Sequence, residues 1–208
     1  MFDLYIAILA SLFSVVNPIG ALPVYSSLTQ RYNNAEKRKT ARNTSFFFIM
    51  ILLSFFLFGS YILSFFGVSI SAIRLAGGLV ILNSGFNLLN SKNLKAESIN
   101  EKVKEEAAAK EDISFSPLAM PLLSGPGSIS LLIALYAQYQ DWESRWIIIA
   151  VILSVGIIVF LILSSATLIG KFLGEAGLKA IGRIMGFIIM AIACQYIISG
   201  IMSLVKNH

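Results

Sequence analysis

The sequence is poor in charged residues and has one histidine and one cysteine. Asp, Glu, Lys and Arg make up 13% of its 208 residues, against about 25% in soluble globular domains. A single cysteine, Cys194, excludes an internal disulfide and the cysteine pair of a thiol-redox carrier. The histidine is His208, and the sequence contains no catalytic triad, metal-ligand cluster or phosphate-binding loop. We therefore do not expect an enzyme.

Long apolar runs dominate instead. Hydrophobic residues account for 57% of the chain, and the mean hydropathy is +0.80. Runs of roughly 18 or more apolar residues with few charges are typical of membrane helices. The first run has no basic region before it and no small-residue cleavage site, so we interpret it as a spanning helix and not as a signal peptide. The runs predict an all-α membrane protein with six transmembrane helices, at about 4–29, 44–66, 71–90, 116–139, 146–169 and 181–204.

Basic residues predict the orientation of these helices. Loops 30–43 and 91–115 and the connection 170–183 carry thirteen Lys and Arg residues, whereas the opposite face carries two, Arg145 and Lys206. Basic loops of membrane proteins lie preferentially in the cytoplasm. We therefore expect both termini outside the cytoplasm. The net charge of +5 arises in these loops, so we expect no nucleic-acid partner.

Two of the runs are interrupted near their centres by proline and glycine. The interruptions are "NPIGALP" at 17–23 and "SGPGSI" at 124–129. Both residue types destabilise a helix interior, and broken backbone in lipid persists only inside protein or beside a polar cavity. A half-helix that begins at a break presents free N–H groups, which favour a carboxylate. One that ends there presents carbonyls, which suit an ammonium group or cation. The breaks predict a mid-membrane site for a small zwitterion, with packing kinks as the alternative.

The two halves of the sequence resemble each other. Aligning Pro18 with Pro126 requires a shift of 108 residues, and aligning Arg74 with Arg183 requires 109. The agreement predicts a duplicated three-helix unit. Because three is odd, the second unit enters the membrane from the opposite side, as in many secondary transporters. The predicted organisation is two inverted repeats with broken helices 1 and 4, formed by residues 1–90 and 116–208 and joined by a charged cytoplasmic linker at 91–115.

A few polar side chains could complete the site. Asn17 can cap a half-helix, and Ser124 and Ser128 offer hydroxyls at the second break. Interhelical hydrogen bonding and ligand contact are equally open for Asn83 on the third span and for Gln195 on the sixth. Asn83 shares one helix face with two further asparagines, Asn87 and Asn90. Arg74 and Arg183 begin their spans, and they either anchor the helices at the headgroups or act as a gate.

The pair of motifs "NPIGALP" and "PLAMPLLSGPGSI" resembles the MarC family, whose members are also described as small neutral amino acid transporters. The resemblance extends to the chain length, the six spans and the short hairpin before "IRLAGG". It implies that the first motif is carried by Asn17, Pro18, Gly20 and Pro23, and the second by Pro117, Pro121, Gly125, Pro126, Gly127 and Ile129. The candidate substrate-binding set is therefore Asn17, Pro18, Gly20, Pro23, Asn83, Ser124, Gly125, Pro126, Gly127 and Ser128.

The resemblance also implies transport of glycine, alanine or similar amino acids across a bacterial or archaeal inner membrane, with the lipid bilayer as the other partner. No cofactor is expected. No Asp or Glu lies inside a predicted span apart from Asp3 at the start of the first, so sodium or proton coupling stays open. Small-residue faces such as 76–78 would permit a homo-oligomer or packing within one chain. The alternatives are a carrier or channel for another small solute and a non-transporting membrane scaffold.

Overall fold

The computed structural model describes residues 1–90 and 112–206, and all regular structure in them is helical. This confirms the all-α class for the described residues. Most of the predicted linker lies outside the described residues. The helices, in chain order, are α1 (Phe2–Val16), α2 (Leu22–Leu28), α3 (Asn34–Phe65), α4 (Ile70–Leu89), α5 (Ser114–Leu123), α6 (Pro126–Gln138), α7 (Trp142–Ser164) and α8 (Ala166–Lys206).

Helix length supports a multi-pass membrane protein. Within the described residues, four helices are long and apolar enough to cross a bilayer, namely α3, α4, α7 and the Ala176–Val205 part of α8. Helices α5 and α6 give a fifth span if the pair, bent by 66°, crosses as one unit. Helix α1 has 15 residues, which is short of the ~20 needed to span. The first predicted span is therefore divided between α1 and α2, and the expected count of six is supported only in part.

Polar side chains define where three of the long helices begin. The Asn33 side chain accepts a hydrogen bond from the Glu36 N–H at 2.9 Å, and the Glu36 carboxylate accepts one from the Asn33 N–H at 2.8 Å. This reciprocal cap starts α3 inside the basic segment, about ten residues before the predicted span. Ser69 caps α4 and Asp141 caps α7. Hydrogen bonds from Ser144 lower the pKa of the Asp141 carboxyl below its ordinary value.

The connection predicted at 170–183 is helical, which corrects the sequence expectation. Helix α7 ends at Ser164, and α8 runs from Ala166 to Lys206 with one interruption at Gly174. Gly174 has φ 59°, a value that favours glycine. The segment 170–183 contains four glycines, but its Lys, Leu, Ala and Arg residues are good helix formers. The basic residues of this segment indicate that it lies outside the membrane, and such residues are compatible with a helix.

The helices pack in two groups. Helix α3 contacts α7, α6 and α5, and α1 contacts α7. Their buried faces form the main core, which includes Leu12, Phe48, Leu52, Phe56, Ile148, Val151 and Val155. Helix α4 packs chiefly on α8 and then on α6. The turn between α3 and α4 is as short as the sequence suggests, but α4 packs mainly on α8 and not on α3.

A seam of small residues joins α4 to α8 in antiparallel orientation. Gly85 lies against the Gly186 carbonyl, so a Cβ at position 85 would come within 2.8 Å of that oxygen. The seam closes at the other end with a 2.9 Å hydrogen bond between the Ser71 and Ser203 hydroxyls. Small residues allow such close backbone approach. The seam residues recur every seventh position on both helices, as Ser71, Gly78 and Gly85 on α4 and Gly186, Ala193 and Gly200 on α8.

The outer surface of the helices is apolar. Trp142 and Trp146 at the start of α7 are more than half exposed, as is Phe65 at the end of α3. Trp is enriched where membrane helices meet water. The outward side of α8 is also exposed and carries Cys194. In contrast, Gly77 lies against Ser130 of α6, so the small-residue face at 76–78 serves packing within the chain.

Candidate functional site

The two breaks line a single cavity of about 370 Å3. This volume is near the lower end of the roughly 300–1,000 Å3 of small-molecule sites. The wall consists mainly of apolar side chains with a few polar groups. Its residues are Val15, Val16, Asn17, Gly20 and Ala21 from the first break, Pro121 to Leu123 and Gly125 to Ser128 from the second, Val80, Ile81, Ser84, Asn87 and Leu88 from α4, and Ile189 from α8.

The first break is centred on one residue in the left-handed conformation. Asn17 has φ 48° and ψ 59°, and its N–H donates to the Phe13 carbonyl at 2.9 Å, which ends α1. Asparagine is among the few residues that adopt this conformation readily, and a following proline disfavours the right-handed helix. The Asn17 side-chain oxygen accepts a 3.3 Å hydrogen bond from the Gly20 N–H. A Cβ at Gly20 would collide with the Asn17 amide group, so a larger residue there would displace the Asn17 side chain and its hydrogen bond.

The second break follows α5, which is not a continuous helix, because Ser116 and Met120 have extended backbone angles and each precedes a cis peptide bond to proline. In α5 the Ser124 N–H donates to the Ala119 carbonyl at 2.8 Å, five residues earlier, which is the spacing of a π-helix. Pro117 and Pro121 lie inside this helix and cannot donate backbone hydrogen bonds. Helix α6 then begins with Pro126, a favoured residue at a first helical position. Proline and glycine therefore interrupt the helix here without any left-handed residue.

Helix ends of opposite polarity face the cavity. The first turn of α6 contributes Gly127 and Ser128 to the wall, and the last turn of α1 contributes Val15 and Val16. First-turn N–H groups and last-turn carbonyls lack partners within their own helix, and they carry partial positive and negative charge respectively. The cavity wall, within the described part of the chain, contains no ionisable side chain. Among the described residues, charge in this wall therefore comes from the backbone dipoles of the helix ends.

Gly127 allows three helices to close around the cavity. It is buried, and a Cβ there would lie 2.8 Å from Ile81 Cγ1 of α4 and 3.4 Å from Val15 Cγ1 of α1. The neighbouring Ser128 hydroxyl donates a 2.9 Å hydrogen bond to the Gly125 carbonyl, which holds the start of α6. Any larger side chain at 127 must displace Ile81 or enter the cavity.

The cavity brings together six of the ten candidate binding residues, namely Asn17, Gly20, Gly125, Pro126, Gly127 and Ser128. Pro18 is buried behind the first break, and Pro23 is exposed in the first turn of α2. Ser124 is buried beside the second break, and its hydroxyl has no hydrogen-bond partner in this structure. Asn83 lies on an exposed side of α4, outside the wall.

Two polar residues of α4 line the cavity without having been in the candidate set. The spacing of the asparagines puts Asn87 on the same helix face as Asn83. The side of α4 that lines the cavity includes Ser84 and Asn87 but not Asn83. Helical spacing shows that the asparagines of α4 share a face, but it does not show which edge of that face points toward the cavity. Ser84 gave no sequence signal.

The predicted gating residues lie away from this cavity. The Arg74 Nη2 donates to the Gln138 side-chain oxygen at 3.3 Å, at the end of α6. Arg183 and Gln195 are exposed on α8.

Arg145 holds the end of α6 by a contact that the sequence did not suggest. Its Nε donates to the Tyr139 carbonyl at 3.1 Å, and its guanidinium lies 4.0 Å from the centre of the Tyr136 ring. In the sequence, Arg145 is distinguished only as one of the two basic residues on the less basic face. The short turn between α6 and α7 brings it back onto the helix end.

Comparison with known proteins identifies relatives along nearly the whole chain. A family model described as MarC family integral membrane protein matches residues 2–205. A UPF0056 membrane protein of Methanocaldococcus jannaschii is 37% identical over 198 residues, 95% of each chain. YvbG, a UPF0056 membrane protein of Bacillus subtilis, is 33% identical over 201 residues, 97% of this chain and 95% of YvbG. The UPF0056 inner membrane protein MarC of Salmonella typhimurium is 31% identical over an alignment of 220 residues that covers 100% of both. No solved structure matches the chain.

Proposed function

The chain belongs to the MarC family of integral membrane proteins, and we propose that it transports small neutral amino acids such as glycine and alanine across the inner membrane. The observation that carries the proposal is the convergence of both helix breaks on one small cavity. Discontinuous helices that meet at mid-membrane are a recurring way to build a substrate site in transporters. A packing kink alone would not require two breaks to share a cavity.

The packing of the helices supports two inverted three-helix repeats. If α1 with α2 and α5 with α6 each count as one broken helix, then the first, second and third helices of one unit contact their counterparts in the other. These contacts are α1 with α6, α3 with α7, and α4 with α8. A two-fold axis in the membrane plane would relate the members of each pair. With the basic loops in the cytoplasm, both termini lie outside it.

The polarity of the helix ends assigns an orientation to the substrate. The carboxylate lies at the start of α6, near the N–H groups of Gly127 and Ser128. The ammonium group lies toward the last carbonyls of α1 and the Asn17 side-chain oxygen. A small side chain then faces the apolar wall near Ile81.

The test is uptake of labelled glycine and alanine into proteoliposomes that contain purified protein. Uptake would be compared under a sodium gradient, a pH gradient and no gradient, which identifies the coupling ion. The key variant is Gly127→Leu. Its control is Gly182→Leu, because a Cβ at Gly182 meets no described atom within 4 Å. Saturable uptake in the wild type and the control, lost in Gly127→Leu, supports the proposal. No uptake by folded wild-type protein would favour a different solute or a scaffold role.

A further inference from the structure

A second cavity, of about 330 Å3, lies where the end of α2, the start of α3 and the junction of α7 with α8 meet. It is separate from the cavity at the helix breaks. Its polar side chains are two lysines, one amide and five hydroxyls, namely Lys37, Lys171, Gln30, Tyr25, Ser26, Thr29, Ser164 and Thr167. No carboxylate belongs to its wall within the described residues. In contrast, a third cavity beside α3 places Glu36 and Asp112 next to Lys39.

Hydrogen bonds hold the wall of the second cavity in place. The Tyr25 hydroxyl donates to the Lys37 carbonyl at 2.7 Å, which joins α2 to α3. The buried Thr29 hydroxyl donates to the Tyr25 carbonyl at 2.8 Å. Among the described residues, Lys37 and Lys171 have no carboxylate within ion-pair distance.

The surroundings place this cavity at a membrane surface. Its walls are the ends of helices, on the face of the protein that carries the basic loops. Beside Lys171, Leu168 is 73% exposed and Phe172 is 90% exposed, one helical turn apart on the first turns of α8. Exposed apolar side chains next to a lysine are typical of a helix that lies in the interface between lipid and water.

We propose that the second cavity binds the phosphate group of an anionic phospholipid, with its acyl chains against Leu168 and Phe172. Two lysines from different helices supply the charge, and the hydroxyl groups supply hydrogen bonds to the phosphate oxygens. Basic pockets between membrane helices recognise lipid headgroups in this way. Gly170 leaves room at the wall, because a Cβ there would meet no described atom within 4 Å. Lipid binding here does not depend on the transport activity proposed above.

The test measures lipid binding to delipidated, detergent-solubilised full-length protein. Phosphatidylglycerol, phosphatidylcholine and soluble glycerol phosphate would be titrated separately, with the melting temperature and the dissociation constant as readouts. Lys37→Gln combined with Lys171→Gln removes both charges. Arg38→Gln combined with Arg42→Gln is the control, because it also removes two positive charges, both from the basic segment that contains Lys37 but outside the cavity. A variant with arginine at both lysine positions keeps the charge.

We expect phosphatidylglycerol to raise the melting temperature of the wild type, the control and the arginine variant. The double glutamine variant should bind it about 30-fold more weakly. Equal binding by the double glutamine variant and the wild type would overturn the proposal, as would an equal loss in the control. Equal stabilisation by phosphatidylcholine would exclude charge recognition. Glycerol phosphate binding as tightly as the lipid would identify a soluble phosphate as the occupant and overturn the lipid assignment.

Discussion

The first helix break depends on a side chain, whereas the second depends on the absence of one. At the first, Asn17 adopts the left-handed conformation and its amide accepts from the Gly20 N–H. At the second, Gly127 permits Ile81 and Val15 to approach the start of α6. Both segments contain proline and glycine, yet they form different local structures around one cavity. We therefore expect uptake to depend on the polar groups of the side chains at the first break and on the size of the side chains at the second.

The largest effect is expected from added volume at the second break. Gly127→Leu should abolish amino acid uptake, because the new side chain must enter the cavity or displace Ile81. Overpacking of this kind costs about 1–3 kcal/mol, so the variant should still fold. Uptake and the melting temperature would be measured together. Normal uptake in a folded Gly127→Leu protein would place the substrate elsewhere.

A smaller effect is expected at the first break. In Gly20→Ala the new methyl group collides with the Asn17 amide, and the hydrogen bond between these residues is lost. Such a bond contributes about 1 kcal/mol to stability, so the melting temperature should fall slightly; because Asn17 lines the cavity, the KM for uptake should also rise.

Asn17→Gly tests the role of the Asn17 side chain separately from that of the left-handed backbone conformation at this position. Glycine keeps the left-handed conformation but removes the amide, so its KM should rise as in Gly20→Ala. Asn17→Asp keeps both the oxygen acceptor and the tolerance for this conformation, and should transport better than either variant. An unchanged KM in Asn17→Gly would show that the side chain plays no part in substrate binding.

The contact between Gly127 and Ile81 can be tested by a double-mutant cycle. Gly127→Ala places a methyl group 2.8 Å from Ile81 Cγ1 and should reduce uptake several-fold. Ile81→Ala alone should destabilise the protein by about 2–5 kcal/mol, as is usual for a buried isoleucine. In the double variant the vacated space accommodates the new methyl group. We expect a coupling of about 1 kcal/mol in stability and partial recovery of uptake; strictly additive effects would contradict a direct contact.

The smallest effects concern the two serines of the second break. Ser128→Ala removes the hydrogen bond to the Gly125 carbonyl and should cost about 0.5–1.5 kcal/mol. Ser124→Ala removes a buried hydroxyl without a partner in this structure, and it should leave stability unchanged or slightly raised. Melting temperatures in detergent, without substrate, would show the difference. Equal destabilisation by both variants would mean that the Ser124 hydroxyl has a partner after all.

The sequence predicted the features that depend on local chemistry. Proline after Asn17 and the pair Gly125–Pro126 located both interruptions, because these residues disfavour a helix whatever surrounds them. Apolar runs located the long helices, and the all-α class follows from them. The ends of α7 and the course of α8 differ from the prediction, because basic residues indicate a loop outside the membrane but are also compatible with a helix.

The missed parts of the site depend on tertiary packing. Ser84 and Asn87 line the cavity while Asn83 does not, a distinction that requires the rotation of α4 against its neighbours. That rotation is set by the seam with α8, whose small residues are far apart in sequence. Arg145 likewise reaches the end of α6 only because α7 folds back after a short turn. Periodicity identifies the residues that share a helix face, but only the structure shows which helix packs against that face.

The single cysteine offers an experimental handle on the α4–α8 pair. Cys194 is exposed on the outward side of α8, away from the seam, and it is the only thiol in the chain. A fluorophore or spin label attached there would be homogeneous without any cysteine being removed from the natural sequence. A second label placed on α3 or α7 would then report the distance between the two helix groups as substrate is added.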